Sequence, residues 1–309
     1  MRQPPLASST WLSALPSLLV AVSLAAPAGA SAQDIQPRVY TAAPVGINAV
    51  SVGYVYSTGE VLFDRAIPVD DVTGDVHSLT ASYSRTFALF DRAARFDLAV
   101  PYVSGDWSGQ FLDAPAANAK SGLADPVLRL VVPISGAPAL GPAEYASFRP
   151  RTIVATTLRM GVPLGRYDPD DLVNLGSNRW WAGPQLGVSH IEGPWLVELY
   201  AGARFFSANE AFLGTSELTQ SPLYTLQLHA GYRFRPGLWL AASTRQSLGG
   251  ATSVDGGERV SPETNNRVGL TLNIPVRGRY SLRVAGSTGI QATIGNDYDT
   301  VVAAFTAAF

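Results

Sequence analysis

The chain has 309 residues, 22 basic against 24 acidic side chains, and no cysteine. That near-neutral balance offers no field for nucleic acid, and the missing thiols exclude a disulfide framework or a thiolate metal site. Only 15% of residues are charged while 47% are hydrophobic, so the question is which way the apolar side chains face.

The first residues read as an export signal. Arg2 precedes an apolar run from Leu15 to Ala30, and Ala30–Ser31–Ala32 is a small-x-small cleavage site. The run carries Pro16 and Pro27 near its ends and is shorter than the roughly 20 residues a spanning helix needs. Residues 1–32 are therefore expected to be a cleaved signal peptide, and 33–46 a short periplasmic segment before the folded part. No later apolar run reaches the length of a spanning helix.

From residue 47 onward the hydrophobic period is two. Val50, Val52, Tyr54 and Tyr56 alternate with Ser51 and Gly53, and Phe96, Leu98 and Val100 alternate with Arg95, Asp97 and Ala99. Val154, Leu158 and Met160 alternate with Ala155 and Arg159; Trp195, Val197, Leu199 and Phe205 with Glu198 and Arg204; Tyr224, Leu226, Leu228 and Phe234 with Gln227, His229 and Arg233. Alternation of this kind specifies strands. It predicts twelve, at 47–56, 76–87, 94–104, 122–133, 151–164, 179–190, 195–207, 222–234, 237–247, 264–275, 280–291 and 297–309. One or two helical turns are expected after Pro142, by the preference of proline for a helix start.

Short connections (191–194, 235–237, 276–279) alternate with long ones rich in Gly, Asp, Ser and Asn (57–75, 105–121, 165–178, 208–221, 248–263). Such alternation belongs to an up-and-down barrel with one plain and one elaborated end. The stretch 134–150 breaks the rule, being long where a short turn belongs. A soluble sandwich also alternates, but its second face carries charge into water. Here the second face is mostly Gly, Ala, Ser and Thr with scattered arginines. The pairs Trp195/Phe205 and Tyr224/Phe234 each sit ten positions apart, which on a tilted strand spans roughly the 25 Å between the aromatic girdles of an outer-membrane barrel. Residues 47–309 are thus expected to form an all-β, closed, antiparallel transmembrane barrel of about twelve strands. Its apolar rows face lipid, and Tyr102, Trp180, Trp195, Phe205, Tyr224 and Phe234 belong to its girdles. The alternation Val301, Ala303, Phe305, Ala307, Phe309 is expected to pair with the first strand. Its terminal Phe309 resembles the signal read by the bacterial barrel-assembly machinery.

The inward parity carries Asp97, Asp125 and Glu198 with Arg129, Arg159, Arg204, Arg233, Arg267 and Arg283. These are the lumen-lining candidates. Two accounts stay open: interior ion pairs that fill the barrel, or a path for an acidic or polar solute. Asp168, Asp170 and Asp171 form the most acidic loop but lack calcium-loop spacing, so a solvated surface loop is expected. His77, His190 and His229 have no metal-ligand spacing. No metal and no cofactor are implied. Trp107 is read as an interfacial anchor.

The stretches "YTAAPVGINAVSVGYVYSTGEVLFD" (40–64), "VPYVSGDWSG" (100–109), "SGLADPVLRL" (121–130), "RYDPDDLVNLGSNRW" (166–180) and "YRFRPGLWLA" (232–241) together resemble a family of bacterial outer-membrane transporters labelled for the meta-pathway of phenol degradation. The resemblance implies passive uptake of small solutes through the lumen, with phenol-type aromatic compounds as the class that the family label names. The expected partners are outer-membrane lipid, the assembly machinery and a small solute, with no nucleic acid. An outer-membrane lipid-modifying enzyme, or a plugged and purely structural barrel, are the alternatives. The enzyme needs a nucleophile beside a base near one rim, and no serine motif accompanies His190 or His229.

Overall fold

The computed structural model describes residues 35–62, 69–111, 114–171, 173–257, 259, 262–292 and 295–309. The expected signal peptide lies outside them. The strands in chain order are β1 (Asn48–Leu62), β2 (Val69–Leu89), β3 (Arg92–Phe111), β4 (Ala114–Leu123), β5 (Val127–Ser135), β6 (Thr152–Gly161), β7 (Trp181–Glu192), β8 (Trp195–Phe206), β9 (Asn209–Phe212), β10 (Ser216–Gln220), β11 (Leu223–Arg235), β12 (Leu238–Gly249), β13 (Thr252–Val254), β14 (Glu263–Arg277), β15 (Tyr280–Gln291) and β16 (Gly295–Ala308). Helix α1 spans Pro142–Tyr145, as the proline foretold.

Of these, β9, β10 and β13 form a small separate sheet, and β4 and β5 are two pieces of one wall strand. The remaining wall has twelve strands, each antiparallel to its neighbours. It closes where β1 pairs with β16 from Ala49↔Ala308 to Leu62↔Gly295. Closure pairs the first strand with the last, so neither offers an open edge to the hydrocarbon. At the short-turn end the backbone N–H of Phe309 donates to the Asn48 carbonyl, and that of Asn48 to the Phe309 carbonyl, both at 2.8 Å.

The parity read from the sequence holds. Val52, Leu199, Leu228, Leu270 and Phe305 are exposed on the outer face, while their sequence neighbours Ser51, Glu198, His229, Thr271 and Ala304 are buried inside. Tight turns at the plain end use glycines with positive φ: Gly193, Gly237 and Gly278. At this end an L side chain would be strained.

Three expectations need correction. β1, β2 and β3 reach well beyond 56, 76 and 104, because polar residues such as Asp75, Asp106 and Ser108 continue the ladder where hydrophobic alternation has stopped. The strand expected at 122–133 is broken at 124–126, where Pro126 has no N–H to donate. Finally, residues 35–46 do not lie outside the barrel in the periplasm. They fold into its lumen from the short-turn end, as the contacts below show.

Candidate functional site: the barrel lumen

Inward-facing side chains and the N-terminal segment together fill the short-turn half of the barrel. The Arg38 N–H donates to Glu198 Oε2 at 2.6 Å, and the Val39 N–H to the Tyr200 hydroxyl at 3.2 Å. The Tyr40 ring meets Tyr200 edge-on at 4.6 Å between centroids. Its hydroxyl donates to Gln185 Oε1 at 3.1 Å and accepts from Thr157 at 3.2 Å. Gly187 makes this possible, since a Cβ there would fall within the Tyr40 ring. The long connection 136–151 folds beneath the segment. The Tyr145 hydroxyl donates to the Ala42 carbonyl at 2.6 Å, and the Val45 N–H to the Leu140 carbonyl at 2.9 Å. Burial against this cluster pushes the Tyr145 phenol up. The unexpected length of 134–150 thus has a cause: it forms the floor of the plug.

Next to the plug lies a carboxylate held by two arginines. Asp97 accepts from Ser84 Oγ at 2.5 Å and Arg129 Nε at 2.7 Å, and Arg95 Nε lies 3.1 Å away. Arg129 also donates to Gln36 Oε1 at 2.6 Å, so the same arginine binds wall and plug. All three charged side chains are buried. A buried ion in this setting requires such partners.

Toward the elaborated end the lumen becomes aromatic and cationic. Trp181 is buried with Val127 and packs on Phe206. The guanidinium of Arg204 lies 4.3 Å from the Trp181 ring centroid and that of Arg159 5.7 Å, while Arg179 lies 4.6 Å from Phe206. Burial pushes the Arg179 guanidinium down to about 10. Arg159 stands opposite Arg129 in the β5–β6 register. On another part of the wall Arg245 stands opposite Arg267 in the β12–β14 register, and both are buried. Arg267 donates to the Tyr298 carbonyl and, at 3.3 Å, to Ser287. Arg283 lies 5.8 Å from the Trp239 ring, which also carries Arg38 at 5.2 Å.

Most candidate residues therefore face the lumen: Asp97, Arg129, Arg159, Glu198, Arg204, Arg267 and Arg283. Arg233 keeps the inward parity, in register with the buried Trp239, but stands at the short-turn mouth, where it is exposed and donates to the Gly193 carbonyl at 3.2 Å. Asp125 does not line the lumen: it falls in the break between β4 and β5 and accepts from Gly165 N–H at 2.9 Å and Ser177 N–H at 2.8 Å, so it anchors a loop. Trp107 is likewise no membrane anchor. Its Nε1–H donates to the Tyr298 hydroxyl at 3.1 Å inside the barrel, in space left by Gly74 and Gly105.

The girdle candidates Tyr102, Trp180, Trp195, Phe205, Tyr224 and Phe234 are all exposed. Trp195, Tyr232 and Phe234 form a run of edge-on contacts at the short-turn rim. In the acidic loop Asn174 donates to the carbonyls of Asp168 and Asp171, both at 2.8 Å, and Asp171 pairs with Lys120. Among the described residues no group of three His, Asp or Glu is placed to hold a metal ion. His190 meets Thr152 at 2.9 Å on the outside, and His229 meets Ser243 at 2.8 Å in the interior.

Reasoning from sequence missed Arg95, Trp181, Tyr200, Trp239 and Arg245 as lumen residues, although their parity placed them there. It missed Gln36, Arg38 and Tyr40 because the segment has no periodicity to read.

No curated protein sequence matches the chain. Among solved structures it is similar to the COG4313 outer membrane channel from Pseudomonas putida F1, at 23% identity over 89% of this chain and 100% of that one, with a TM-score of 0.72. It is also similar to the transport unit of the autotransporter AIDA-I from Escherichia coli, at 7% identity over 90% and 94%, with a TM-score of 0.52. These likenesses are of fold. The family model described as "Putative MetA-pathway of phenol degradation" matches residues 55–293, most of the barrel, and the chain belongs to that family.

Proposed function

We propose that the protein is an exported outer-membrane channel that passes small anionic solutes by passive diffusion, aromatic carboxylates being the class that fits best. The observation that carries this reading is the pairing of inward arginines across adjacent strands, Arg129 with Arg159 and Arg245 with Arg267. Like charges directly opposite one another destabilise a sheet, so their presence favours a role beyond holding the wall. Rings of arginine in a pore favour anions. The Trp181–Arg204 pair adds an aromatic face beside a cation, suited to a ring bearing a carboxylate. The family description, which concerns phenol degradation, supports the aromatic part.

Reversal potentials in a planar bilayer under a salt gradient test it. Anion preference is expected, and clear cation selectivity would count against the reading. The plugged barrel is a second reading, favoured by Tyr40 and its neighbours in the lumen. It predicts negligible conductance in the full protein and a large rise when residues 36–43 are deleted.

The enzyme reading finds its best geometry at Ser243 and His229, with Glu198 opposite His229 in the β8–β11 register. Both His229 and Glu198 are fully buried, away from any lipid substrate at a rim, which supports a non-catalytic assignment.

A further inference from the structure

The short-turn rim divides into two arcs of different charge. From the β2–β3 turn round to the β7–β8 turn it carries Arg92, Arg149 and Arg151 against Asp91, Glu144 and Glu192. Arg151 donates to Glu192 at 2.5 Å, and this arc is electrically balanced. From the β11–β12 turn, round through β16 and β1 to β2, the rim carries Arg233, Arg235, Arg277, Arg279 and Arg85. Among the described residues no Asp or Glu side chain stands on this second arc, and none of its arginines is in an ion pair. The terminal carboxylate of Phe309 offsets one charge at most.

Two β-bulges aim that charge at the bilayer. Arg233 is on the inner row, opposite the buried Trp239, and strict alternation would return Arg235 to the same row. The ladder instead shifts between them, and Arg235 pairs with Leu238, which with Leu240 flanks Trp239 on the outer row. On β14, alternation from the buried Asn273 would likewise turn Arg277 inward. The shift between Pro275 and Arg277 pairs it with Tyr280, whose ring stacks on the outward Phe305 at 5.7 Å between centroids. Each bulge thus re-aims an arginine, and the residues it inserts, Phe234 and Val276, are exposed. The comparable shift on β5, between Pro133 and Ser135, re-aims only a serine. Arg85 needs no bulge, since it continues the outward row of Leu79, Ala81 and Tyr83 and stands opposite Asn48. Arg279 lies in the β14–β15 turn with its guanidinium 5.8 Å from the Tyr280 ring.

The level of these side chains decides what they meet. Aromatic belts sit at headgroup depth, and Phe234, Tyr280 and Tyr83 are the immediate neighbours of the outward arginines. Arginine stems lie along apolar surface and carry the charge to the phosphate level, where a guanidinium pairs bidentately with phosphate oxygens. The short-turn end of an outer-membrane barrel faces the periplasm, so this rim meets the inner leaflet.

We propose that the arc of Arg85, Arg235, Arg277 and Arg279 is a docking surface for anionic phospholipid headgroups of the inner leaflet, of the phosphatidylglycerol type. The sideways aim given by the two bulges suits a lipid rather than a periplasmic protein approaching from below. The inference is separate from the solute reading and holds for an open or a plugged barrel.

The test uses the full chain refolded into phosphatidylcholine vesicles that contain a trace of spin-labelled phosphatidylglycerol or spin-labelled phosphatidylcholine. Electron paramagnetic resonance gives the immobilised fraction of each, and their ratio is the preference. Wild type should favour phosphatidylglycerol several-fold, less so as salt screens the charges. Arg85→Gln/Arg235→Gln/Arg277→Gln/Arg279→Gln should bring the ratio to about one while the unboiled gel band stays that of a folded barrel, whereas Arg149→Gln/Arg151→Gln on the balanced arc should leave it unchanged. Absence of preference in wild type overturns the proposal and leaves the arginines to a partner other than lipid. Preference that survives the quadruple variant, or falls equally in both variants, overturns the assignment to this arc. Sodium phosphate should weaken the preference no more than chloride at matched ionic strength, and a stronger effect of phosphate overturns the lipid in favour of a free anion. Should the quadruple variant fail to refold, Arg235→Gln/Arg277→Gln removes only the two re-aimed side chains. It should lower the ratio by itself, and an unchanged ratio there overturns the proposal equally.

Discussion

Arg38 and Glu198, 160 positions apart, are joined by a hydrogen bond of 2.6 Å from the Arg38 backbone N–H to the Glu198 carboxylate. The donor is main chain, so no substitution of Arg38 other than proline removes it. Glu198→Ala removes the acceptor. It is expected to loosen residues 36–43 and raise the mean conductance and its fluctuations in single-channel recordings. Arg38→Ala, which deletes the contact with Trp239 and the side chain's attraction to Glu198 but keeps the main-chain bond, should change them less. Equal effects of the two variants would show that the side-chain contact, not the main-chain bond, secures the segment.

Gly187 tests the same plug from the wall side. Gly187→Val puts carbon where the Tyr40 ring lies, and neither strand nor ring can yield without moving the segment. Greater conductance than wild type is expected, with the barrel still resisting unfolding on an unboiled gel. The double variant Gly187→Val/Tyr40→Gly should gain nothing further, since the ring is already displaced or absent.

Asp97 neutralises two buried arginines. Asp97→Ala leaves both cations without it inside the wall, and loss of one partner from a buried pair costs about 3–5 kcal/mol. A denaturant titration of refolded protein in lipid should show that loss. A shift under about 1 kcal/mol would mean that water reaches the arginines and replaces the carboxylate, in line with the small worth of solvated pairs.

On the outer face the cost of charge should depend on depth. Leu199 lies in the middle of an outward row, between Val188 and Leu228 in register. Leu199→Arg is expected to cost about 2–4 kcal/mol, and Phe234→Arg, at the rim, about 0–1 kcal/mol. Equal costs in the same titration would place the lipid band elsewhere.

Phe309 is bonded to Asn48 only through its backbone, and its ring is exposed. Phe309→Ala should therefore refold normally in detergent yet accumulate poorly in the outer membrane of growing cells, if the ring is read by the assembly machinery. Normal accumulation would remove that role.

The wall was legible in the sequence because its grammar is binary. Val197, Leu199 and Phe205 against Glu198 and Arg204 tell a strand, its register and its lipid face at once. Where side chains are polar on both faces, as at Asp75 and Asp106, the ladder persists without a signal, and β2 and β3 were read too short. The lumen was legible only by parity, which places Asp97 and Arg129 inside but cannot say that they meet. Residues 35–46 gave no sign of their place. Tyr40 is fixed by a gap at Gly187, by the Thr157 hydroxyl and the Gln185 amide oxygen from two strands, and by the Tyr200 ring from a third, and such complementarity exists only once the ring has closed. Asp125 has the right parity and the wrong role, since one proline beside it interrupts the strand.

The inserted segment precedes β1 and joins it at Asn48, on the same end of the barrel where β1 and β16 close. It can leave the lumen without breaking a single strand pair. The molecule is then two cooperative units in series: a ring whose stability comes from a closed ladder, and a short foldon held by a handful of local bonds. Their free energies of opening differ, so the amides of 36–43 will exchange with solvent far ahead of those in β8 or β11, and a melting curve of the ring will be silent about whether its interior is occupied.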